Sequence, residues 1–174
     1  MLYNIGMKTK TIALIGMTGS GKTKVGEELA RQLECNLLDL DQVIVEREGS
    51  SIPEIFSDKG EEYFRQCEHD ALNDTLYMKK NIVLSCGGGV IIAERNRQLL
   101  RENSIVVWIT RDVELVLQNE TIIARPPING DKSRYLDLLL LRQPLYQDTA
   151  HFVVENRDVE DCVDEIIKLL ALCE

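Results

Sequence analysis

Short runs of apolar residues alternate along this chain with longer stretches in which apolar positions recur at helical spacing. The apolar runs cover residues 11–15, 36–40, 82–85, 105–110 and 152–155. Because these runs are continuously apolar, they predict strands that are buried on both faces of a parallel sheet. The helical stretches cover residues 22–33, 42–47, 61–79, 94–101, 113–119, 134–148 and 159–172. Five strands with helical crossovers predict a doubly wound α/β fold.

The residues that directly follow the strands are the first to consider, since ligands of such sheets bind beyond the carboxyl ends of the strands. The first strand is followed by Gly16, Met17, Thr18, Gly19, Ser20, Gly21, Lys22 and Thr23. This is the phosphate-binding P-loop pattern G-x-x-x-x-G-K-[ST] without a mismatch, between a predicted strand and a predicted helix. Backbone N–H groups at the helix N-terminus can bind phosphate oxygens. Lys22 can reach the β- and γ-phosphates, and the Thr23 hydroxyl can bind Mg²⁺.

Two aspartates, Asp39 and Asp41, close the second apolar run. Residues two apart on a strand face the same side, so both carboxylates are expected to project together near the phosphates. One could join the coordination shell of Mg²⁺, and the other could accept a hydrogen bond from the hydroxyl that receives the phosphoryl group. The alternative is that one of them only caps the following helix.

Three consecutive glycines, Gly87, Gly88 and Gly89, follow the third apolar run. Glycines are costly to order and have no side chain to pack, so three in a row indicate a close approach to the backbone. They do not form the dinucleotide-binding pattern G-x-G-x-x-G, because Ile92 stands where its last glycine would be. A plain strand-to-helix turn is the alternative, although one glycine would suffice for it.

Three arginines are candidates for binding anionic groups. Arg65 and Glu68 lie three apart on a predicted helix, where they form a surface pair or Glu68 orients the guanidinium toward a carboxylate. Arg125 lies in residues 121–133, which have little helical pattern. Such a segment is typical of a lid whose arginine stabilises charge on the transferring phosphoryl group, with a surface loop as the alternative. Arg142 lies within a predicted helix and, on its own, is most simply a surface charge.

Composition narrows the class of protein further. A chain of 174 residues predicts one domain. Its net charge of −9 speaks against a nucleic-acid-binding protein, which needs a basic face. No apolar run reaches the roughly 18 residues of a membrane span. The five cysteines form no C-x-x-C pair, and with two histidines they offer no zinc spacing. Free thiols favour a reducing, cytoplasmic location.

In this order, the motifs resemble those of shikimate kinase, over residues 10–170. The resemblance is carried by the P-loop, Asp39-Leu40-Asp41, residues 51–56, Gly60-Glu61, Phe64-Arg65, Glu68, the three glycines, Arg125-Pro126, Arg142 and Leu145-Tyr146. It implies transfer of the γ-phosphoryl group of ATP to the 3-hydroxyl of shikimate with Mg²⁺, in the route to chorismate and aromatic amino acids. The implied fold is three-layer α/β/α of the P-loop type, with sheet order 2-3-1-4-5. The implied organisation is a monomer with a single domain over residues 1–174, a shikimate-binding helical region at about 41–70 and a lid at about 120–134.

The same resemblance assigns roles to individual residues. The P-loop would bind ATP with Lys22 on the phosphates, and Thr23 and Asp39 would bind Mg²⁺. Asp41 would bind the shikimate hydroxyls and is the candidate base, while Arg125 would touch both the phosphates and the substrate. The other substrate contacts would come from two arginines on the carboxylate, two phenylalanines as walls, one glutamate and the glycine backbone: Arg65, Arg142, Phe56, Phe64, Glu68, Gly87, Gly88 and Gly89.

Two segments depart from the family pattern. The lid reads Arg125-Pro126-Pro127-Ile128, where Arg-Pro-Leu-Leu is usual, and the second proline is expected to stiffen it. In the family, the arginine of the adenine-side loop is often followed shortly by a proline, but no proline follows Arg157 here. The assignment of Arg157 as an adenine contact therefore rests on its position alone.

Three other functions stay open at the level of sequence. A kinase for another polyol, such as gluconate, would keep the P-loop and lid but would not need Arg65, the three glycines and Arg142 together. A P-loop protein that holds nucleotide without turnover would not need Lys22 and Asp41 intact. A GTPase switch is disfavoured because the guanine-binding N-K-x-D motif does not occur.

Overall fold

The computed structural model describes residues 10–78, 80–124 and 128–172. Within these residues the chain forms five strands and eight helices. The strands are β1 (Thr11–Ile15), β2 (Asn36–Asp39), β3 (Ile82–Ser85), β4 (Ser104–Thr110) and β5 (Phe152–Glu155). The helices are α1 (Lys22–Gln32), α2 (Leu40–Glu48), α3 (Ile52–Met78), α4 (Glu94–Asn103), α5 (Val113–Leu117), α6 (Glu120–Ile123), α7 (Lys132–Thr149) and α8 (Val159–Ala171).

The five strands form one parallel sheet in the order β2-β3-β1-β4-β5, which confirms the predicted fold class and strand order. The central strand β1 is buried at every position. Its Leu14 pairs with Ser85 of β3 on one side and with Val107 of β4 on the other. All five strands therefore direct their carboxyl ends toward the same edge, where the P-loop begins.

Helices cover both faces of the sheet, so the fold has three layers. Alternate residues of β1 serve the two faces, as a strand period of two requires. Ile12 and Leu14 pack with α1 and α8 in one cluster of buried side chains. Ala13 and Ile15 belong to a second cluster on the opposite face, which includes side chains of α3, α4 and α7.

Several helix boundaries differ from the predictions. The α3 helix begins at Ile52 because Ser51 and Glu54 form a capping box, in which Ser51 N–H donates to Glu54 Oε2 at 2.7 Å. It is interrupted at Gly60, whose φ of 83° glycine adopts without steric cost. A proline inside a helical pattern, such as Pro144, predicts a kink or a restart of the helix. No restart occurs, since α7 continues through Pro144. The carbonyl that Pro144 leaves without a donor belongs to exposed Leu140, where water can bind it.

Three further findings bear on the class of protein. In the parts of the chain that the structure describes, no helix has the length and apolar character needed to cross a membrane. The same residues contain no group of three or more metal-ligating side chains of the His, Cys, Asp or Glu type. The cysteines at 35, 67, 86 and 162 are free thiols.

Candidate active site

The P-loop joins β1 to α1 and supplies the nucleotide side of the site. Gly21 is the N-cap of α1 with a φ of 90°, so the helix N-terminus opens onto the loop. The Lys22 ammonium group donates to the carbonyls of Gly16 at 2.8 Å and Met17 at 2.9 Å, which folds it over the loop. A Cβ atom at Gly21 would collide with the amide of Asn156, which shows how tightly the loop is packed. The loop is thus shaped for phosphate oxygens, as its sequence predicts.

One atom of the P-loop indicates that the loop fits a nucleotide. The Ser20 hydroxyl is buried and has no hydrogen-bond partner within the described residues. A buried hydroxyl without a partner is costly, so such an atom is expected to have a ligand. The exposed Thr23 lies two residues before the first buried position of α1. Together these residues form a cradle that suits phosphate groups and their metal ion.

Asp39 and Asp41 lie at the carboxyl end of β2, but they are not both on the strand. Asp39 is the N-cap of α2, and its Oδ1 accepts hydrogen bonds from Asp41 N–H at 3.0 Å and Gln42 N–H at 3.3 Å. Asp41 therefore belongs to the first turn of α2, and the predicted extension of the strand to Asp41 is wrong. Of the two aspartates, Asp39 is the one that caps the helix, because its carboxylate accepts hydrogen bonds from the first amides of α2.

Arg65 is held at the site by two glutamates on its own helix. It donates from Nη1 to Glu68 Oε2 at 2.8 Å and contacts Glu61 Oε1 at 3.2 Å. The Glu68 side chain is almost completely buried, whereas that of Glu61 is exposed. The guanidinium also lies 5.2 Å from the centre of the Phe64 ring, which packs 4.6 Å from the ring of Phe56. The surface-pair reading therefore does not describe Arg65, because a buried carboxylate orients it.

The three glycines lie between Asp41, Arg65 and the P-loop. A Cβ atom at Gly87 would lie 2.6 Å from Asp41 Oδ1, and one at Gly89 would lie 2.6 Å from Arg65 Nη1. A Cβ atom at either position would push the Asp41 carboxylate or the Arg65 guanidinium away from its place, so these glycines allow the functional groups to approach the backbone closely. Gly88 is close to the P-loop, since a Cβ atom at this position would lie 3.5 Å from Gly16 O. The plain-turn reading is therefore not sufficient.

Helix α7 reaches the same loop with two side chains. Arg142 Nη1 donates to Gly88 O at 3.3 Å, and the Tyr146 hydroxyl donates to the same carbonyl at 2.5 Å. Helix α7 thus places Arg142 beside the segment formed by Gly87, Gly88 and Gly89, here called the glycine loop. Its role as a plain surface charge, which its position in a helix suggested, does not hold.

The carboxylates of the site are partly desolvated. Burial raises the pKa of the Asp41 carboxyl, the negative charge of Asp39 raises it further, and Lys22 and Arg65 oppose the rise. Burial likewise raises the pKa of Glu68, while the Arg65 guanidinium lowers it. These opposing effects show that Lys22, Asp41, Arg65 and Glu68 lie within one electrostatic neighbourhood.

Two of the sequence-predicted residues cannot be assigned to this group: one lies outside the described residues, and the structure places the other elsewhere. Arg125 lies outside the described residues. The Arg157 side chain is 82% exposed, and its guanidinium pairs with Glu155 Oε2 at 2.6 Å. The neighbouring Asn156 contacts the P-loop instead, donating from Nδ2 to Ser20 O at 2.8 Å. Asn156 and Tyr146 are two residues whose contacts sequence reasoning missed, although Asn156 directly follows β5 at the carboxyl edge of the sheet.

A parallel sheet with this strand order, a complete P-loop and a facing group of arginines and carboxylates defines a P-loop kinase for a small molecule. A family model described as shikimate kinase matches residues 18–171. The chain belongs to the shikimate kinase family, and it is therefore an ATP-dependent phosphotransferase.

Individual relatives support the same family. The chain is 36% identical over 166 residues to a shikimate kinase of Dictyoglomus turgidum, covering 92% of this chain and 96% of the relative. It is 39% identical over 167 residues to a shikimate kinase of Dehalococcoides mccartyi, covering 92% and 93%. Among solved structures it is similar to shikimate kinase from Acinetobacter baumannii in complex with shikimate. That structure has a TM-score of 0.88 and 35% identity, and the match covers 97% of this chain and 96% of the other.

A gluconokinase represents the alternative substrate class. The chain is similar to the structure of a gluconokinase from Sinorhizobium meliloti with a TM-score of 0.60 and 16% identity. The match covers 95% of this chain and 94% of the other. At this identity the similarity shows only a shared fold.

Proposed function

We propose that this chain transfers the γ-phosphoryl group of ATP to the 3-hydroxyl of shikimate, giving shikimate 3-phosphate and ADP for chorismate and aromatic amino-acid synthesis. The observation that supports this most is the meeting of Asp41 and Arg65 at the glycine loop, directly beside the P-loop. A carboxylate that can bind hydroxyls thus lies at Gly87, and a guanidinium that can bind a carboxylate lies at Gly89 of the same loop. Shikimate carries both kinds of group.

Each end of the substrate has candidate partners. Arg65, oriented by buried Glu68, and Arg142 would bind the carboxylate, because a guanidinium matches a carboxylate with two parallel hydrogen bonds. Asp41 would bind the ring hydroxyls and accept the proton of the attacking one. The packed rings of Phe56 and Phe64 would form one wall of the shikimate pocket. Backbone groups of the glycine loop would form the other wall.

The nucleotide side follows from the P-loop. Residues 16–23 would bind the phosphates of ATP, with Lys22 moving from its carbonyl partners to the phosphate oxygens. Thr23 and Asp39 would hold Mg²⁺, which neutralises phosphate charge when bound. Both hydrogen bonds of the Asp39 cap end on Oδ1, and a carboxylate has a second oxygen for a metal shell. Arg125 would stabilise charge on the transferring phosphoryl group, and Arg157 would contact the adenine ring.

The organisation of the chain is part of the proposal. Residues 1–174 would form a single kinase domain, in which the region at about 41–70 binds shikimate and that at about 120–134 closes as a lid. The region at about 41–70 carries five of the substrate-side residues of the site: Asp41, Phe56, Phe64, Arg65 and Glu68. We further propose that the protein acts as a monomer in the cytoplasm.

Release of ADP from ATP and Mg²⁺, measured with shikimate, gluconate or no acceptor, tests the proposal. We expect release that depends on shikimate, with the background rate in the other two reactions. Release with gluconate alone would replace the proposed substrate. Nucleotide binding without release in any of the three would mean that the chain is not an active kinase.

A further inference from the structure

The three carbonyl groups of the glycine loop are held in two different ways. Gly87 O accepts from Val90 N–H at 3.1 Å, and Gly89 O accepts from Ile92 N–H at 3.0 Å, so local turns of the backbone fix both. The carbonyl of Gly88 is instead bound by side chains from α7. Its shorter hydrogen bond is the one from the Tyr146 hydroxyl, at 2.5 Å.

The direction of this carbonyl determines the direction of the Gly89 amide in the same peptide group. The peptide bond between Gly88 and Gly89 is planar and trans, so the Gly89 N–H points to the side opposite the Gly88 carbonyl. A glycine on each side of this peptide leaves its rotation with little steric restriction. The partner that holds the Gly88 carbonyl therefore decides where the Gly89 N–H points. Gly89 is also the position next to the Arg65 guanidinium.

Tyr146 is itself firmly placed. Its side chain is 0% exposed and stacks on Trp108, with ring centres 5.6 Å apart and 18° between the planes. Burial raises the pKa of its hydroxyl, so the group stays protonated and remains a donor. A buried hydroxyl keeps its hydrogen bond because losing it costs the whole desolvation penalty. Helix α7 and strand β4 thus fix one donor on the loop.

We propose that Tyr146 is a positioning residue for the substrate that receives the phosphoryl group. By donating to Gly88 O, it fixes the orientation of the Gly88–Gly89 peptide and of the carbonyl to which Arg142 also donates. This inference rests on the proposed function, in which the glycine loop and the arginines bind shikimate. Tyr146 contacts neither nucleotide nor substrate in this scheme. Its effect on shikimate is exerted through the loop.

Replacing Tyr146 with phenylalanine tests this directly. The variant keeps the stacked ring on Trp108 and removes only the hydroxyl. We expect the KM for shikimate to rise about tenfold, as loss of one buried hydrogen bond allows, and the KM for ATP to stay within about twofold. The matched control is Tyr135→Phe, the same change at another buried tyrosine of α7, for which both KM values should remain unchanged.

A second readout follows the peptide itself. In the Tyr146→Phe variant the Gly89 amide should exchange its hydrogen faster than in the wild type, while amides of β1 exchange at the wild-type rate. If this variant fails to fold, Trp108→Phe loosens the stack but leaves the hydroxyl in place. We expect it to raise the KM for shikimate in the same direction by a smaller factor, without a change for ATP.

The outcomes separate the inference from the function on which it rests. A wild-type protein without shikimate-dependent turnover would refute the proposed function. Wild-type turnover with an unchanged KM for shikimate in Tyr146→Phe would refute the positioning role alone. Equal increases in both KM values would also refute it, because they would show a general structural effect of the substitution.

Discussion

Replacing Arg65 with alanine should remove useful shikimate binding while ADP binding stays near normal. Arg65 is placed at the glycine loop by Glu68 and Glu61, and its guanidinium lies next to Gly89 on the proposed substrate side of the site. Two charge-assisted hydrogen bonds to a carboxylate contribute about 1.5–3 kcal/mol each. Loss of even one of them raises KM about tenfold or more, and loss of the fork should raise it at least about 100-fold.

The same change should also lower stability, in a way that depends on pH. Glu68 is 1% exposed, and Arg65 is its partner at 2.8 Å. Without the guanidinium, the pKa of Glu68 in the folded protein rises further above its ordinary value of 4.5. The loss of stability has an upper limit, because the Glu68 carboxyl can bind a proton instead of staying charged. Protonating a carboxyl with an ordinary pKa of 4.5 at pH 7 costs about 3 kcal/mol, at 1.36 kcal/mol per pKa unit.

The sign of the pH effect follows from the direction of the pKa shift. A carboxyl whose pKa is raised by folding stabilises the protein at low pH and loses that contribution as pH rises from its unfolded pKa to its folded one. The stability deficit of Arg65→Ala should therefore be largest near pH 7 and shrink toward pH 5. Adding Glu68→Gln removes the ionisable group and should remove this pH dependence without restoring shikimate binding.

The assay combines steady-state kinetics, ADP binding by calorimetry, and urea unfolding at pH 5 and pH 7. The matched control is Arg47→Ala, since Arg47 pairs with Asp74 at 2.9 Å with both side chains well exposed. Exposed pairs contribute little, so this variant should leave binding and stability nearly unchanged. Equal losses of shikimate and ADP binding in Arg65→Ala would contradict the reasoning, because they would mean that Arg65 supports the fold rather than the substrate.

Three further changes test other parts of the site and fold. Asp41→Asn should lower kcat about 100-fold or more in turnover assays, as loss of a general base does; an unchanged kcat would remove Asp41 as the base. Asn156→Ala should raise the KM for ATP about threefold to tenfold and spare that for shikimate, because Asn156 binds Ser20 O of the P-loop. Burial and the charge of Arg101 lower the pKa of His151, whose Nδ1 accepts from Val106 N–H. Because the lowered pKa keeps His151 neutral in the folded protein, the unfolded chain binds a proton more readily. Urea unfolding should therefore show stability falling as the pH drops below about 6.5. His151→Gln should weaken this dependence, and an unchanged slope would contradict the assignment.

Much of the sheet could be predicted because its inner strands β1, β3 and β4 are buried on both faces, whereas the edge strands β2 and β5 are partly exposed, against the prediction. For β1, β3 and β5 the apolar run ends where the strand ends, so the predicted and observed bounds coincide. The end of β2 was predicted less well. Asp39 has a short carboxylate that can bond the amides two and three residues ahead, and this local hydrogen bond ends the strand before Asp41.

The contacts that arrange the site could not be predicted, because they join residues far apart in the chain. Tyr146 and Gly88 are separated by 58 positions, and Asn156 and Ser20 by 136. No periodicity or local pattern relates such residues. A tyrosine on an apolar helix face predicts burial, but the carbonyl it binds depends on how α7 packs against β4 and the glycine loop.

The glycine loop shows how a sequence pattern can be understood correctly and still incompletely. Three glycines in a row indicate close approach to the backbone, and a nearby ligand would be a sufficient explanation. In the structure the approaching atoms also belong to the protein: Asp41 Oδ1 at Gly87, Arg65 Nη1 at Gly89 and the P-loop at Gly88. Gly87 and Gly89 thus make room for two different functional groups, while a Cβ atom at Gly88 would lie at ordinary contact distance from the P-loop. An added methyl group at Gly87 or Gly89 would displace the functional groups themselves.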